Sequence, residues 1–220
     1  MSLSGLFSKK TTNKKTTDMK RLLSTIAIIL IISGANAQDT HDIICLRTGC
    51  NLARHIDDAK ASSKIKLGIN AGLTVDFEIF NNFFARPGIM FSMKGARYDN
   101  YDQVENLNYF ELPLLVAYKI NITNALVADF QTGPYVAGGA FGMVKRHEPK
   151  YFEYRAFKRY NNDEYRRFDI GWNFGVGVIL KKHYYFGFGY DLGFRLLHEP
   201  DYMTWHQKNG CSMINIGYYL

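Results

Sequence analysis

Lys64-Ile65-Lys66-Leu67-Gly68-Ile69-Asn70-Ala71-Gly72-Leu73-Thr74-Val75-Asp76-Phe77-Glu78-Ile79 alternates without a break between apolar odd positions and polar or glycine even positions. Successive side chains of a strand point to opposite faces, so a period of two predicts a β-strand with one apolar face. Ordinary strands run to about five or six residues, whereas a tilted strand crossing a bilayer needs about nine to eleven. This stretch is long enough to span a membrane.

Two further segments repeat the pattern. In Arg167–Leu180, Phe168, Ile170, Trp172, Phe174, Val176, Val178 and Leu180 share one face and Asp169, Asn173 and three glycines the other. In Tyr184–Leu196, an aromatic and leucine face opposes Tyr185, Gly187, Gly189, Asp191, Gly193 and Arg195. A soluble barrel shows its polar face to water, where a row of glycines only weakens the strand. Inside a narrow barrel, by contrast, small residues beside a few charges fit the crowded axis, and the bulky apolar face is left for lipid.

The N-terminus bears on compartment. Met19-Lys20-Arg21, the apolar run Leu22–Ile32 and the small-x-small tripeptide Ala35-Asn36-Ala37 read as a secretory signal peptide cleaved after Ala37, preceded by a polar extension. We therefore divide the chain into residues 1–37, extension and signal peptide, and residues 38–220, a single domain. The precursor carries a net charge of +7, but residues 1–37 hold six of the 27 basic residues and one of the 20 acids, which leaves +2. The basic balance is mostly a targeting feature and gives no reason to invoke nucleic acid.

Eight strands are expected: about Ile43–Leu52, Lys64–Ile79, Phe83–Tyr98, Leu107–Ile120, Leu126–Gly142, Arg167–Leu180, Tyr184–Leu197 and Cys211–Leu220. Short connections at Phe80–Asn82, Asn121–Asn124 and Lys181–His183 alternate with long ones, the asymmetry of outer-membrane barrels with short periplasmic turns and long extracellular loops. The fold class is all-β, an eight-stranded antiparallel up-and-down transmembrane β-barrel. Parity sends Arg47, Lys64, Lys66, Arg86, Lys94, Lys119, Arg167 and Arg195 into the lumen, against Asp76, Glu78, Glu111, Asp129, Asp169 and Asp191. Charges in so narrow an interior must be paired, so a plugged lumen is expected in place of a wide pore.

Tyr109-Phe110-Glu111-Leu112-Pro113-Leu114-Leu115, Gly133-Pro134-Tyr135 and Phe168-Asp169-Ile170-Gly171 with Gly175 and Gly177 resemble strands of the PorT-like outer-membrane β-barrel family. The resemblance runs from Ile43 to Leu220. It departs at Arg86-Pro87-Gly88, where the family carries Gln-Pro-Glu, and at Leu220, where such barrels end in Phe. The resemblance implies an eight-stranded barrel inserted by the barrel assembly machinery into outer-membrane lipid and lipopolysaccharide. It implies no single activity, although a few members resemble secretion or gliding components.

Catalysis by a small barrel needs a nucleophile, a base and an orienting acid together. None of His41, His55, His147, His183, His198 and His206 stands beside a serine at a suitable spacing in a strand. The repeated tripeptides His147-Glu148-Pro149 and His198-Glu199-Pro200, with His206, offer oxygen and nitrogen donors without a defined ligand set; no cofactor or metal is expected. The loop Met143–Arg167 is the favoured partner surface. It interleaves basic and aromatic residues, with Arg155, Lys158, Arg159, Tyr151, Tyr154 and Tyr160 as candidates, and this alternation also suits strands continued above the membrane. Parity turns Cys50 outward and Cys45 and Cys211 inward, so no disulfide is expected. The leading reading is a non-enzymatic scaffold presenting extracellular loops to a protein partner. The alternative is a small-solute channel or a lipid-modifying enzyme.

Overall fold

The computed structural model describes residues 43–56, 63–99, 102–147, 151–157, 165–197 and 207–220. The expected signal peptide and its boundary at Ala37 lie outside the described residues, as do Lys158, Arg159, Tyr160, His198 and His206.

Ten strands form one antiparallel sheet: β1 (Ile43–Ile56), β2 (Lys66–Phe80), β3 (Phe83–Lys94), β4 (Arg97–Tyr98), β5 (Gln103–Thr123), β6 (Leu126–Arg146), β7 (Phe152–Arg155), β8 (Phe168–Leu180), β9 (Tyr184–Gly193) and β10 (Lys208–Tyr219). Eight long strands close a ring in the order β1, β2, β3, β5, β6, β8, β9, β10 and back to β1, with β4 appended to β5 and β7 to β6. The chain thus forms the expected eight-stranded up-and-down barrel. Its three tight turns lie at one end. At two of them, Asn81-Asn82 and Lys181-Lys182 adopt positive φ, the backbone that hairpin turns need to match strand twist.

The outer face is apolar, as parity predicts: Leu67, Ile69, Phe110, Leu114, Phe174, Val176, Phe186 and Ile214 are all exposed, Leu67 by 73%. Aromatic groups mark two levels on this face. Phe80, Phe83 and Tyr118 stack beside the short turns, and Phe91, Phe110 and Phe141 cluster toward the other end. From Phe110 to Tyr118, β5 runs about 27 Å at about 3.4 Å per residue, close before tilt to the apolar band of about 25 Å in such barrels. Beyond the upper level the outward residues turn polar, with Lys64, Arg97 and Asp99 forming exposed ion pairs.

Four charges do not enter the lumen as expected. Lys64 pairs with Asp99 above the belt, Glu78 is exposed next to a turn, exposed Arg167 donates to the Phe157 carbonyl at 3.0 Å, and Arg195, past the end of β9, lies 5.2 Å from the ring of outward-facing Phe168. Parity fixes the face on which a side chain lies but not its height, and at either rim both faces meet water. Several strands also run further than expected: β1 continues to Ile56, β5 begins at Gln103 and β6 reaches Arg146. The third expected strand breaks at Gly95, whose φ of +127° only glycine adopts without strain.

Candidate functional site

The lower lumen is organised around Arg86, which is fully buried. Its guanidinium donates to Asp76 through Nε (2.5 Å) and Nη2 (2.8 Å), and to both oxygens of Asp129 at 2.7 Å. Lys119 Nζ stands 2.7 Å from Asp76, and the Tyr219 hydroxyl donates to the same carboxylate at 3.1 Å. Arg86 is therefore the hub of the lower lumen, and two paired carboxylates satisfy its fork.

A second cluster lies higher. Lys94 meets Glu111 at 2.7 Å and Asp191 at 2.9 Å, and it lies over the Tyr135 ring at 4.5 Å. Asn173 donates to Asp191, and Asn209 to Asp169. Gly171 leaves room for Tyr135: a Cβ there would lie 2.6 Å from its ring. Between the clusters lies a cavity of about 40 Å³. At about 10–15 Å³ per water position this holds a few waters and is no channel for solutes.

The mouth is closed by the long loop itself. Ala156 and Phe157, just past β7, turn inward and are buried with Tyr165 and Leu197 against Leu107, Tyr109, Ala137 and Val144. The Phe157 ring meets Tyr109 edge-on at 5.7 Å. It presses so close to Gly139 that a Cβ there would lie 2.6 Å from the ring.

A polar layer above the belt supports this plug. His55 Nδ1 stands 2.9 Å from the Tyr98 hydroxyl and 3.4 Å from Glu105 Oε2, and Gln207 donates to Tyr98 at 3.0 Å. Gln103 donates to the other Glu105 oxygen at 2.7 Å. Burial pushes the Glu105 carboxyl up from its ordinary 4.5 to about 7, against the opposing effect of hydrogen bonds from Tyr165 and Gln103. His55 thus lies in a strand, contrary to the sequence reading, and next to a carboxylate. The nearby Ser63 hydroxyl donates to the His55 main-chain carbonyl at 2.6 Å and not to its ring, so the hydroxyl beside this base–acid pair is that of Tyr98.

Above the mouth, β7 extends the edge of the β5–β6 pair, with Met143 opposite Arg155 and Arg146 opposite Phe152 on one side and Asn106 and Gln103 on the other. Of the candidate loop residues, Tyr151 is 56% exposed and Arg155 is exposed beside Phe152, whereas Tyr154 is half-buried against the plug. Lys145 pairs with Glu153 at 3.7 Å, Tyr151 hydrogen-bonds Glu153, and the His147 and Tyr151 rings are 5.4 Å apart. The loop therefore divides into a buried stopper and an exposed basic-aromatic ridge. The sequence reading missed the stopper, because burial by a loop folding back leaves no periodic signal.

No curated protein matches this chain. Among solved structures it is similar to the attachment invasion locus protein Ail of Yersinia pestis, with 12% identity over 82% of this chain and 100% of that one, at a TM-score of 0.44. It is also similar to Neisserial surface protein A, with 8% identity over 80% and 96% of the respective chains, at a TM-score of 0.45. The model of the outer membrane protein beta-barrel domain matches residues 34–199. A closed ring of eight strands with lipid-facing apolar side chains and a charged lumen, matched over most of its length by that model, places this chain in the outer membrane protein beta-barrel domain family, integral to the outer membrane.

Proposed function

We propose that the protein is an interaction scaffold, not an enzyme or solute channel, and that the β6–β7 ridge docks an anionic protein surface next to the lipopolysaccharide layer. One observation carries this reading. The lumen is filled by ion pairs and stoppered by Phe157, while Tyr151 and Arg155 are exposed on the strand pair above it. Tyrosine and arginine on such a strand pair supply the contacts typical of interfaces. The Tyr109–Leu115 strand supports placing the chain in the PorT-like branch, and with it accessory roles in secretion or gliding complexes and insertion by the barrel assembly machinery.

Lys158, Arg159 and Tyr160, outside the described residues, are the remaining candidates of the same loop. The test is co-purification from outer membranes of parent protein and of a K145Q/R155Q/K158Q/R159Q variant, with capture measured against salt. A specific protein held by the parent and released by the variant, with affinity falling as salt rises, supports the reading. Equal capture by both removes the ridge as the docking site.

A further inference from the structure

We infer that the mid-lumen cavity is a binding site for a small inorganic monoanion, chloride in physiological media, held by Arg47. Arg47 is buried in the wall of this cavity. Its Nη1 donates to Gln131 Oε1 at 2.9 Å, the same oxygen that accepts Arg86 Nη1 at 2.7 Å. Two guanidinium groups therefore share one neutral acceptor. Arg86 is saturated by Asp76 and Asp129, and Lys119 also leans on Asp76, so the lower lumen sets three cations against two carboxylates.

The remaining charge resides on Arg47. Its Nε and Nη2 are buried without a nitrogen or oxygen acceptor among the described residues, the Cys45 thiol being the neighbouring polar group. The Tyr185 ring lies 4.2 Å from the guanidinium carbon, which softens the charge but accepts no in-plane N–H. An unpaired buried cation is far costlier than an unpaired buried neutral donor, so these two N–H groups call for an anion more strongly than for water.

The cavity supplies the rest of the coordination. Thr74 Oγ1 and Asn215 Oδ1 are also buried without partners and line the same space. The threonine hydroxyl can rotate to donate, and the Asn215 amide can turn its NH2 inward. On the far wall Glu111 and Asp191 share Lys94, one ammonium against two carboxylates, so an anion is confined to the Arg47 side of the cavity. At about 40 Å³ the space accepts a halide with a water or two and excludes a nucleotide or a sugar phosphate.

The experiment uses bromide as the probe. Full-length mature protein refolded and crystallised in sodium bromide, with diffraction recorded at the bromine edge, is expected to show an anomalous peak beside Arg47 Nε and Nη2. A map with ordered water there and no anomalous signal overturns the proposal. In parallel, unfolding is compared in chloride and in gluconate at equal ionic strength. A halide at about ten times its dissociation constant raises the folded-to-unfolded ratio about tenfold, and Arg47→Met is expected to abolish that difference. An equal halide effect in parent and variant places the ion elsewhere and overturns the assignment. Should R47M fail to fold, the bromide map of the parent decides alone.

Discussion

The two ends of the lumen are sealed by opposite chemistry. Toward the short turns, Arg86 ties Asp76 to Asp129, and these charges come from β2, β3 and β6, so the seal is the barrel wall itself. Toward the loops, the seal is a single ring, Phe157, carried by a loop and backed by a titratable layer around Glu105. Removing the first seal means breaking the fold, whereas removing the second means moving a loop. The proposed docking surface lies at the end whose seal a loop carries.

The largest effect is expected at the hub. Arg86→Met leaves Asp76 with Lys119 and deprives Asp129 of its guanidinium, and breaking such a pair costs about 3–5 kcal/mol. Refolding into lipid vesicles, followed by gel shift against urea, measures it, and adding D129N, which keeps the Asp76–Lys119 pair, is expected to restore much of the loss. If R86M folds like the parent, the lower seal is not electrostatic and the contrast collapses.

Phe174 tests the frame on which both ends depend. It lies mid-strand on the lipid face of β8, where Phe174→Arg is expected to cost about 2–4 kcal/mol if placed near the midplane. The same refolding titration reads it. A negligible cost would mean that this face does not meet lipid.

Phe157→Ala is expected to act locally, with global stability nearly unchanged and faster hydrogen exchange at Leu107, Tyr109 and Tyr165. Gly139→Ala, which drives a methyl into the same ring, should reproduce that signature. Exchange confined to the lower lumen in either variant would reverse the roles of the two seals.

The polar layer adds a pH dependence. Because the Glu105 carboxyl is raised in the folded protein, its neutral form is the favoured one. Its contribution is complete below about 4.5 and declines as pH rises through about 7. His55, Tyr98, Tyr165 and Gln103 face this group, and exchange protection at the mouth should weaken between pH 5 and 8 in the parent but stay flat in Glu105→Gln. A slope that persists in E105Q means that Glu105 is not its source. The smallest stability change is expected on the ridge, where K145Q/R155Q should shift unfolding by less than about 0.5 kcal/mol while changing capture.

The in-out pattern of β2, β8 and β9 was legible because lipid on one side and a crowded axis on the other leave each residue a single acceptable face. That logic expires at the rim. Arg54 and His55 look alike in sequence, yet one is exposed and the other buried against Glu105, because water outside and a polar layer inside both accept polar side chains. Arg86 was placed in the lumen by parity, but its role as hub depends on Asp129, 43 residues away, and only the register of β3, β5 and β6 brings the two together. Of the ridge, composition revealed the basic and aromatic character but not which half turns inward.

The seam between β1 and β10 joins the two ends of the domain over the register from Cys45–Tyr219 to Ile56–Lys208. Tyr219, at the last rung, also delivers its hydroxyl to Asp76 and receives Arg86 Nη2 at 3.2 Å. The native seam and the buried charge hub thus share a residue. Pairing the first and last strands one residue out of step would turn Tyr219 toward lipid and leave Asp76 short of a donor, so the hub stabilises the native register of the seam.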